Sequence, residues 1–165
     1  MGLLDDRVAI ITGAGGGIGR GVAHAFAREG AAVVIAEIND ATGRQVEQEL
    51  KDLGARSLYV KTDVTSKESI EAVVATSVAH FGSIDVLVNN AFIPTPNVLL
   101  EDKTDEMLQQ TLTSSLWASW WAMRAVMPHM RERKWGRIVN FYSIDTETGA
   151  WLHADYNTAK SGIVG

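Results

Sequence analysis

The sequence has no cysteine, only three prolines and no apolar stretch long enough to cross a membrane. Without cysteine, disulfides, thiol nucleophiles and thiolate metal sites are excluded, and a membrane span would need about 20 consecutive apolar residues. Basic residues are also scarce, since 15 of them against 20 acidic residues give a formal charge of −5. Nucleic acids and anionic membranes require a basic face, so neither is an expected partner. No basic and apolar leader is visible at the start, and we expect a soluble cytoplasmic protein.

Five short, almost wholly apolar segments alternate with longer segments of helical periodicity. Strands are predicted at residues 7–12, 32–37, 57–61, 84–88 and 136–142. Strands that are apolar at nearly every position are buried on both faces, and their alternation with helices is typical of a doubly wound parallel sheet. The sequence therefore predicts a single α/β domain over residues 1–165, with helices on both faces of the sheet.

Local signals predict several helix boundaries. The four residues that start at Thr65 match the pattern of a capping box. Thr104 is expected to cap a long helix that reaches about Arg133, in which Pro128 should cause a kink or separate the last turn. A last helix is predicted to start at Asp155, after a polar loop.

A glycine-rich loop joins the first predicted strand to the first helix. Its spacing, T-G-x-x-x-G-x-G over residues 12–19, is related to the G-x-G-x-x-G fingerprint of dinucleotide-binding folds. Glycine lets the backbone approach a phosphate closely, and the N-terminus of the following helix favours an anion. A flexible turn without a ligand is the alternative, but the strand–loop–helix context favours nucleotide binding. The predicted contacts are Gly13, Gly15, Gly16, Gly17, Ile18 and Gly19.

Acidic residues follow the second and third predicted strands. Glu37 ends the second strand, where a carboxylate can accept hydrogen bonds from ribose hydroxyls and repels a 2′-phosphate. Neither Gly16 nor Ile38 is a basic residue that could bind such a phosphate, so the sequence favours NAD over NADP. The alternative is that Glu37 is a solvated acid at the end of a strand. Asp63 and Val64 could meet the adenine, or Asp63 could simply start the turn before the next helix.

Tyr156 and Lys160 lie one helical turn apart in the last predicted helix and therefore share a face. A phenol is a poor base at neutral pH, and a nearby ammonium favours its ionised form. The pair can thus serve as general acid and base in an alcohol–carbonyl interconversion. Such pairs also occur by chance, but this one follows the fifth strand, at the sheet edge where these folds bind ligands. Ser143, at the end of that strand, could hydrogen-bond the substrate oxygen or be only a turn residue.

Together these motifs resemble those of the short-chain dehydrogenase/reductase family. The matching segments are TGAGGGIG at residues 12–19, DV at 63–64, NNA at 89–91, Ser143, and YNTAK at 156–160. The resemblance implies a Rossmann-type fold and NAD(P)-dependent hydride transfer between a secondary alcohol and a carbonyl compound. By the same resemblance, Tyr156 is the proton donor or acceptor, and Lys160 holds the nicotinamide ribose and favours ionisation of the phenol. Ser143 positions the carbonyl, whereas Asn89 and Ala91 line the cofactor groove.

Three features depart from that family. Phe92 stands where the family has a glycine after NNA, which would reshape the groove near the nicotinamide. Ser115 stands where the family usually has an asparagine that holds a water in a proton relay, and its shorter reach leads us to expect a lower rate. The rest of the last helix, two further strands and the loop that covers the substrate should follow residue 165. We therefore expect either a fragment or part of a longer polypeptide, and no turnover by this chain alone.

The remaining signals concern metals and association. The four histidines show no metal-like spacing, so no metal site is predicted.

Trp117, Trp120 and Met127 cannot all share one narrow face with Trp121, so the long helix is apolar on more than one side. Core packing and a subunit contact are the alternatives for the second side. Because the family commonly assembles through this helix, the resemblance implies a homo-oligomer.

The sequence thus favours an NAD-dependent oxidoreductase acting on a small alcohol or carbonyl substrate. The expected catalytic residues are Ser143, Tyr156, Lys160 and Ser115. A non-catalytic nucleotide-binding module stays open as a second class, with Phe92 and Ser115 as signs of lost activity. An isomerase or epimerase on a related fold is a third class, although such enzymes usually have longer chains.

Overall fold

The computed structural model describes residues 2–165, in which strands and helices alternate. The strands are β1 (Val8–Thr12), β2 (Ala32–Glu37), β3 (Ser57–Lys61), β4 (Val86–Asn89) and β5 (Arg137–Asn140). The helices are α1 (Gly17–Arg28), α2 (Asp40–Asp52), α3 (Lys67–Phe81), α4 (Asp105–Thr111), α5 (Ala118–Glu132), α6 (Asp145–Thr148) and α7 (Ala154–Val164). A 3₁₀ turn (Leu100–Asp102) precedes α4, and a π-helical segment (Leu112–Trp117) joins α4 to α5.

The five strands form one parallel sheet in the order β3-β2-β1-β4-β5. β1 lies at its centre, with Val8 opposite Ala32 of β2 and Ile10 opposite Leu87 of β4. The chain runs outward from β1 to β3 and then returns to the other side of β1 for β4 and β5. Open α/β sheets bind ligands in the crevice at the carboxyl ends of the strands where the direction reverses. The predicted Rossmann-type, doubly wound parallel sheet is therefore confirmed, and the crevice lies beyond β1 and β4.

Two apolar clusters, one on each face of the sheet, form the core. Ile10 and Leu87 pack with residues of α3 and α5, whereas Ile11 and Val33 pack with residues of α1 and α2. Successive side chains on a strand point to opposite faces, so strands covered on both sides need apolar residues at nearly every position. Each fully buried aliphatic side chain contributes roughly 1.5–3 kcal/mol, which holds both helix layers on the sheet.

Three strands are shorter than the apolar pattern predicts, although β1 lacks only the first predicted residue. β4 begins at Val86 rather than at residue 84, because Asp85 turns its buried carboxylate back to accept the N–H of Val8 at 3.0 Å. β5 covers Arg137–Asn140 rather than residues 136–142, because its ladder with β4 ends where Asn89 lies opposite Asn140. Apolar character continues beyond both ladders, which is why the sequence pattern overestimates their length.

One predicted helix cap is wrong by a residue, and another is confirmed. Ser66 rather than Thr65 caps α3, since the Ser66 hydroxyl accepts the N–H of Ser69 at 3.1 Å. The Thr65 hydroxyl donates instead to the carboxylate of Asp63 at 2.7 Å. Thr104 caps α4 as predicted.

Pro128 does not separate the last turn of the long helix, contrary to one of the two predicted outcomes. α5 passes through Pro128 and continues to Glu132, because Val126 and Met130 on either side of it are buried in the core. The irregular hydrogen bonding lies earlier, in the π-helical segment that contains Ser115. The short helix α6 in the loop after β5 was not predicted. Among residues 2–165, no helix combines the length and the apolar character needed to cross a membrane.

Candidate active site

The glycine-rich loop turns sharply between β1 and α1. Gly13 and Gly17 have left-handed backbone conformations, with φ of +64° and +50°, which glycine adopts without strain. A Cβ at Gly19 would collide with the carbonyl oxygen of Gly13, whereas one at Gly16 would meet no atom within 4 Å. α1 begins without a side-chain cap and without an acidic residue in its first turn. Its first N–H groups and the positive end of its dipole are therefore available to an anion such as a phosphate.

Asn90 fastens the end of β4 to this loop, a role that the sequence did not indicate. Its Nδ2 donates to the carbonyl oxygens of Thr12 and Gly13 at 2.9 and 3.2 Å, and its backbone N–H donates to Thr12 Oγ1 at 3.0 Å. The preceding residue, Asn89, points its side chain elsewhere and donates to Asn140 Oδ1 at 2.8 Å. Asn90 thus shapes the loop, and Asn89 joins the ends of β4 and β5.

A cavity of about 290 Å³, here called the cofactor groove, lies between the glycine loop and the ends of β2 and β4. Its lining includes six of the predicted residues: Gly13, Gly16, Glu37, Asp63, Val64 and Ala91. The other predicted cofactor contacts are outside that lining: Gly15, Gly17, Ile18, Gly19, Asn89, Tyr156 and Lys160. It also includes Ile38 and Phe92, which the sequence analysis placed beside the cofactor, and Asn90 and Ile93, for which the sequence indicated no contact. Residues far apart in the chain are therefore brought together around one groove.

Glu37 lies at the end of β2, and its carboxylate contacts the glycine-rich loop. Its Oε2 accepts the N–H of Gly15 at 3.0 Å, and its Oε1 accepts the N–H groups of Ile38 and Asn39 at 2.9 and 3.0 Å. These three amides hold the negative charge at the groove. Such a carboxylate opposes a further phosphate placed beside it.

Asp63 has the structural role that one of the two interpretations from the sequence expected, and its contact with the adenine stays a prediction. Its Oδ1 accepts the N–H and the hydroxyl of Thr65 at 2.8 and 2.7 Å, so it does start the turn before α3. It also lines the cofactor groove together with Val64. The structural role and a contact with bound ligand are therefore compatible.

Tyr156 and Lys160 lie one turn apart on α7, with Lys160 Nζ 5.8 Å from the centre of the Tyr156 ring. Lys160 is buried and donates to the carbonyl oxygen of Phe141 at 2.7 Å. Burial lowers the pKa of Lys160, because the charged ammonium is partly desolvated. Ser143 follows β5, and its hydroxyl accepts the N–H of Asp145 at 3.2 Å at the start of α6. The fold thus anchors Lys160 to the segment that leads to Ser143.

The Tyr156 ring lies between two other rings. Phe92 approaches it edge-on at 5.1 Å between centres, and His153 does so at 5.9 Å. His153 Nδ1 lies 3.0 Å from Asp145 Oδ2. A second cavity of about 310 Å³, here called the phenol cavity, opens beside this cluster. The phenyl ring of Phe92 and the imidazole–carboxylate pair of His153 and Asp145 therefore flank the phenol.

Ser115 lies in the π-helical segment, against which α7 packs. It is buried, and its hydroxyl has no hydrogen-bond partner within the described chain. Its backbone carbonyl accepts the hydroxyl of Ser119 at 2.7 Å. An unpartnered buried hydroxyl is uncommon, and it is compatible with the predicted function of holding a water. Over residues 2–165, no cluster of three or more potential ligands could hold a metal ion.

Comparisons with known proteins find similar sequences over nearly the whole chain. The family profile described as short chain dehydrogenase matches residues 7–165. A cis-4-hydroxycyclohexanecarboxylate dehydrogenase of Sinomonas cyclohexanicum is 36% identical over 158 residues, covering 96% of this chain and 63% of that protein. The 3-oxoacyl-[acyl-carrier-protein] reductase FabG of Vibrio cholerae is 37% identical over 166 residues, covering 98% of this chain and 65% of that protein.

A solved structure shares the same fold. The crystal structure of NAD⁺-bound xylitol dehydrogenase superposes with a TM-score of 0.94 at 30% sequence identity, covering 98% of this chain and 62% of that one. The chain thus spans between 62% and 65% of the length of these three proteins.

Proposed function

Because the chain belongs to the short-chain dehydrogenase family, we propose that it carries the cofactor groove and the acid–base site of an NAD-dependent oxidoreductase. The substrate class that we propose is a secondary alcohol or the corresponding ketone. Cofactor chemistry of this kind leaves the protein to supply binding, orientation and proton transfer. The proposal extends to the longer polypeptide that such an activity would require, since the chain covers under two thirds of its relatives.

The cofactor groove has the features that a dinucleotide needs. The uncapped start of α1 and the open space at Gly16 suit a pyrophosphate. Glu37 lies where ribose hydroxyls could donate to a carboxylate, and its charge disfavours the 2′-phosphate of NADP. When bound, the nicotinamide would accept or deliver the hydride. We therefore propose NAD rather than NADP as the cofactor.

We assign proton transfer to Tyr156. The phenol would donate a proton to the substrate oxygen during ketone reduction and accept one during alcohol oxidation. Lys160 supplies a positive charge on the same helix face, which favours the phenolate form. Ser143 would hold the substrate oxygen, and Ser115 would hold a water behind the site.

The observation that carries this proposal is the position of Phe92. Its side chain lines both the cofactor groove and the phenol cavity, so the two spaces are neighbours across one ring. A hydride donor bound in the cofactor groove and a proton donor beside the phenol cavity can then act on a single substrate. Phe92 fills space that glycine would leave open, and we propose that it narrows the passage between them.

A substitution of the phenol tests the proposal. Using the longest natural polypeptide that carries this sequence, we expect oxidation of some secondary alcohols in a panel, followed by absorbance of the reduced cofactor. Tyr156→Phe removes the proton donor and should lower kcat/KM by about 10²- to 10⁴-fold. NADH affinity, measured by fluorescence titration, should stay within about twofold, because the hydroxyl contributes little to cofactor binding.

Tyr142→Phe is the matched control, since Tyr142 is exposed in the loop that follows β5. It should leave turnover unchanged. NADH binding without turnover of any alcohol or ketone would support the second class, a non-catalytic nucleotide-binding module. Full activity of the Tyr156→Phe variant would contradict the assigned proton transfer.

We also propose that the protein is a homo-oligomer that associates through α5 and the π-helical segment. Trp117, Trp120 and Met127 are between 40% and 52% exposed on this side, and exposed aromatic patches mark interfaces. Trp121 instead packs against the core, with its ring stacked 6.2 Å from that of Trp117. The cytoplasmic location expected from the sequence stays a prediction.

A further inference from the structure

A buried ion pair joins the start of α7 to the residues just before α4. Lys103 Nζ lies 2.8 Å from Asp155 Oδ1, and only 6% and 2% of the two side chains are exposed. The ammonium approaches Oδ1 away from the direction of a good hydrogen bond, so charge attraction dominates this contact. Ion pairs removed from water are costly to form, and breaking one by removing a single partner is strongly destabilising. A pair at this depth therefore constrains both segments that carry it.

Hydroxyl groups complete the surroundings of the carboxylate. Asp155 Oδ2 accepts the hydroxyl of Thr95 and, at 3.2 Å, the hydroxyl of Thr111. Lys103 Nζ also donates to the carbonyl oxygen of Pro96 at 2.6 Å. Burial by itself would raise the pKa of Asp155, but the adjacent ammonium of Lys103 and the hydrogen bonds from Thr95 and from the backbone of the next residue hold it below its usual value. Asp155 is therefore an ionised residue with donors from three separate parts of the chain.

The segment that this carboxylate binds is the wall of the phenol cavity. Residues 90–99 have no helix or strand of their own, so side-chain contacts decide where they lie. The same segment carries Phe92, whose ring contacts Tyr156, and Asn97, which lines the cavity. Asp155 directly precedes Tyr156 in the chain. One carboxylate thus holds the wall of the cavity and the first turn of the helix that presents the phenol.

We propose that Lys103 and Asp155 are positioning residues, which set the Tyr156 ring against the segment that carries Phe92 and so align the phenol for the reaction. This inference rests on the proposed function, in which Tyr156 transfers the proton. Proton and hydride transfer require alignment within a fraction of an ångström. The buried charge attraction together with the hydroxyl hydrogen bonds from Thr95 and Thr111 fixes one arrangement of the carboxylate, whereas an apolar contact of the same size would permit sliding.

The inference is tested by measuring kcat in the longest natural polypeptide that carries this sequence. Each kcat is divided by the number of NADH-binding sites found by titration. Asp155→Asn keeps the shape and removes the charge, and Lys103→Met removes the partner. Each should lower kcat per NADH-binding site by about 10- to 100-fold, while NADH affinity stays within about twofold. The primary isotope effect with a deuterated alcohol should rise, since misalignment slows the chemical step more than the binding steps.

These readouts separate positioning from a loss of folded protein. Fewer folded molecules would lower NADH-binding stoichiometry and total activity in proportion, and would leave kcat per site and the isotope effect unchanged. Lys103→Arg keeps the charge and should restore most of kcat. Thr111→Val removes one hydrogen bond to the same carboxylate and should lower kcat per site in the same direction, by a smaller factor, even where Asp155→Asn fails to fold.

Lys67→Met combined with Glu71→Gln is the matched control, because it removes an exposed ion pair on α3. It should leave kcat per site unchanged. The inference is overturned by an active wild-type protein in which the folded Lys103, Asp155 and Thr111 variants keep wild-type kcat per site. A wild-type protein without any cofactor-linked turnover would overturn the proposed function, and this inference with it.

Discussion

At the scale of single residues, the proposed preference for NAD over NADP rests on one carboxylate. Three backbone amides, those of Gly15, Ile38 and Asn39, donate to Glu37 and keep its charge at the cofactor groove. No basic side chain lines that groove in the described chain. A second negative group would therefore meet uncompensated repulsion, which costs several kcal/mol when like charges are placed together.

Glu37→Gln should shift this preference. Removing the charge eliminates the repulsion and is expected to lower the ratio of kcat/KM with NAD to kcat/KM with NADP by about tenfold or more, since each tenfold corresponds to about 1.4 kcal/mol. Steady-state kinetics with both cofactors measure the ratio. Glu71→Gln replaces an exposed carboxylate on α3 by a carboxamide, and it should leave the ratio unchanged. A wild-type protein that prefers NADP would show that Glu37 does not exclude the phosphate.

At the scale of elements, the helical connection from α4 to α5 departs most from the sequence expectation. The sequence predicted a kink or a break at Pro128, but the irregular hydrogen bonding occurs around Ser115, in the π-helical segment. Such segments are rare and frequently lie at functional sites, because the wider turn leaves carbonyl groups without regular partners. α7, which carries Tyr156, packs against this segment. The irregular turn is therefore placed directly behind the proposed acid–base helix.

Substitutions at Ser115 test whether that turn serves catalysis. If the buried hydroxyl holds a water, Ser115→Ala should lower kcat by about tenfold, and Ser115→Asn, with its longer reach, should raise kcat above that of the wild type. Ser119→Ala is the matched control, since Ser119 is buried at the start of α5 and its hydroxyl bonds only the backbone carbonyl of Ser115. If kcat is unchanged in both Ser115 variants and Ser115→Ala is more stable to heat, the hydroxyl has no hydrogen-bond partner and no part in catalysis.

At the scale of the whole molecule, the fold divides its apolar residues between a closed core and an exposed surface. Both faces of the sheet are covered by helices, so aliphatic residues of the central strands are buried. The α5 side nevertheless leaves Trp117 and Trp120 about half exposed. Large exposed aromatic groups clustered on one helix are unusual for a monomer, and a second copy of this chain is the occupant that we propose.

Trp120→Glu should break that association. A carboxylate placed in an apolar interface is left desolvated without a partner, so light scattering after gel filtration should show a smaller mass than that of the wild type. Trp151→Glu is the matched control, because Trp151 is exposed on the loop between α6 and α7. A wild type that is already monomeric at micromolar concentration would contradict the proposed interface.

The sequence by itself determined the parallel sheet and the family of the chain, whereas the roles of the site residues stay predictions. Apolar periodicity and glycine spacing are local properties, so the strand–loop–helix unit around Gly13 and the Tyr156–Lys160 face can be predicted from short segments. Strand ends, the π-helical segment and the cap at Ser66 could not, since ladder partners and packing decide them. Only the tertiary structure brought Lys103 to Asp155 and Phe92 to Tyr156. Those contacts depend on how distant segments meet above the sheet, and no local pattern carries that information.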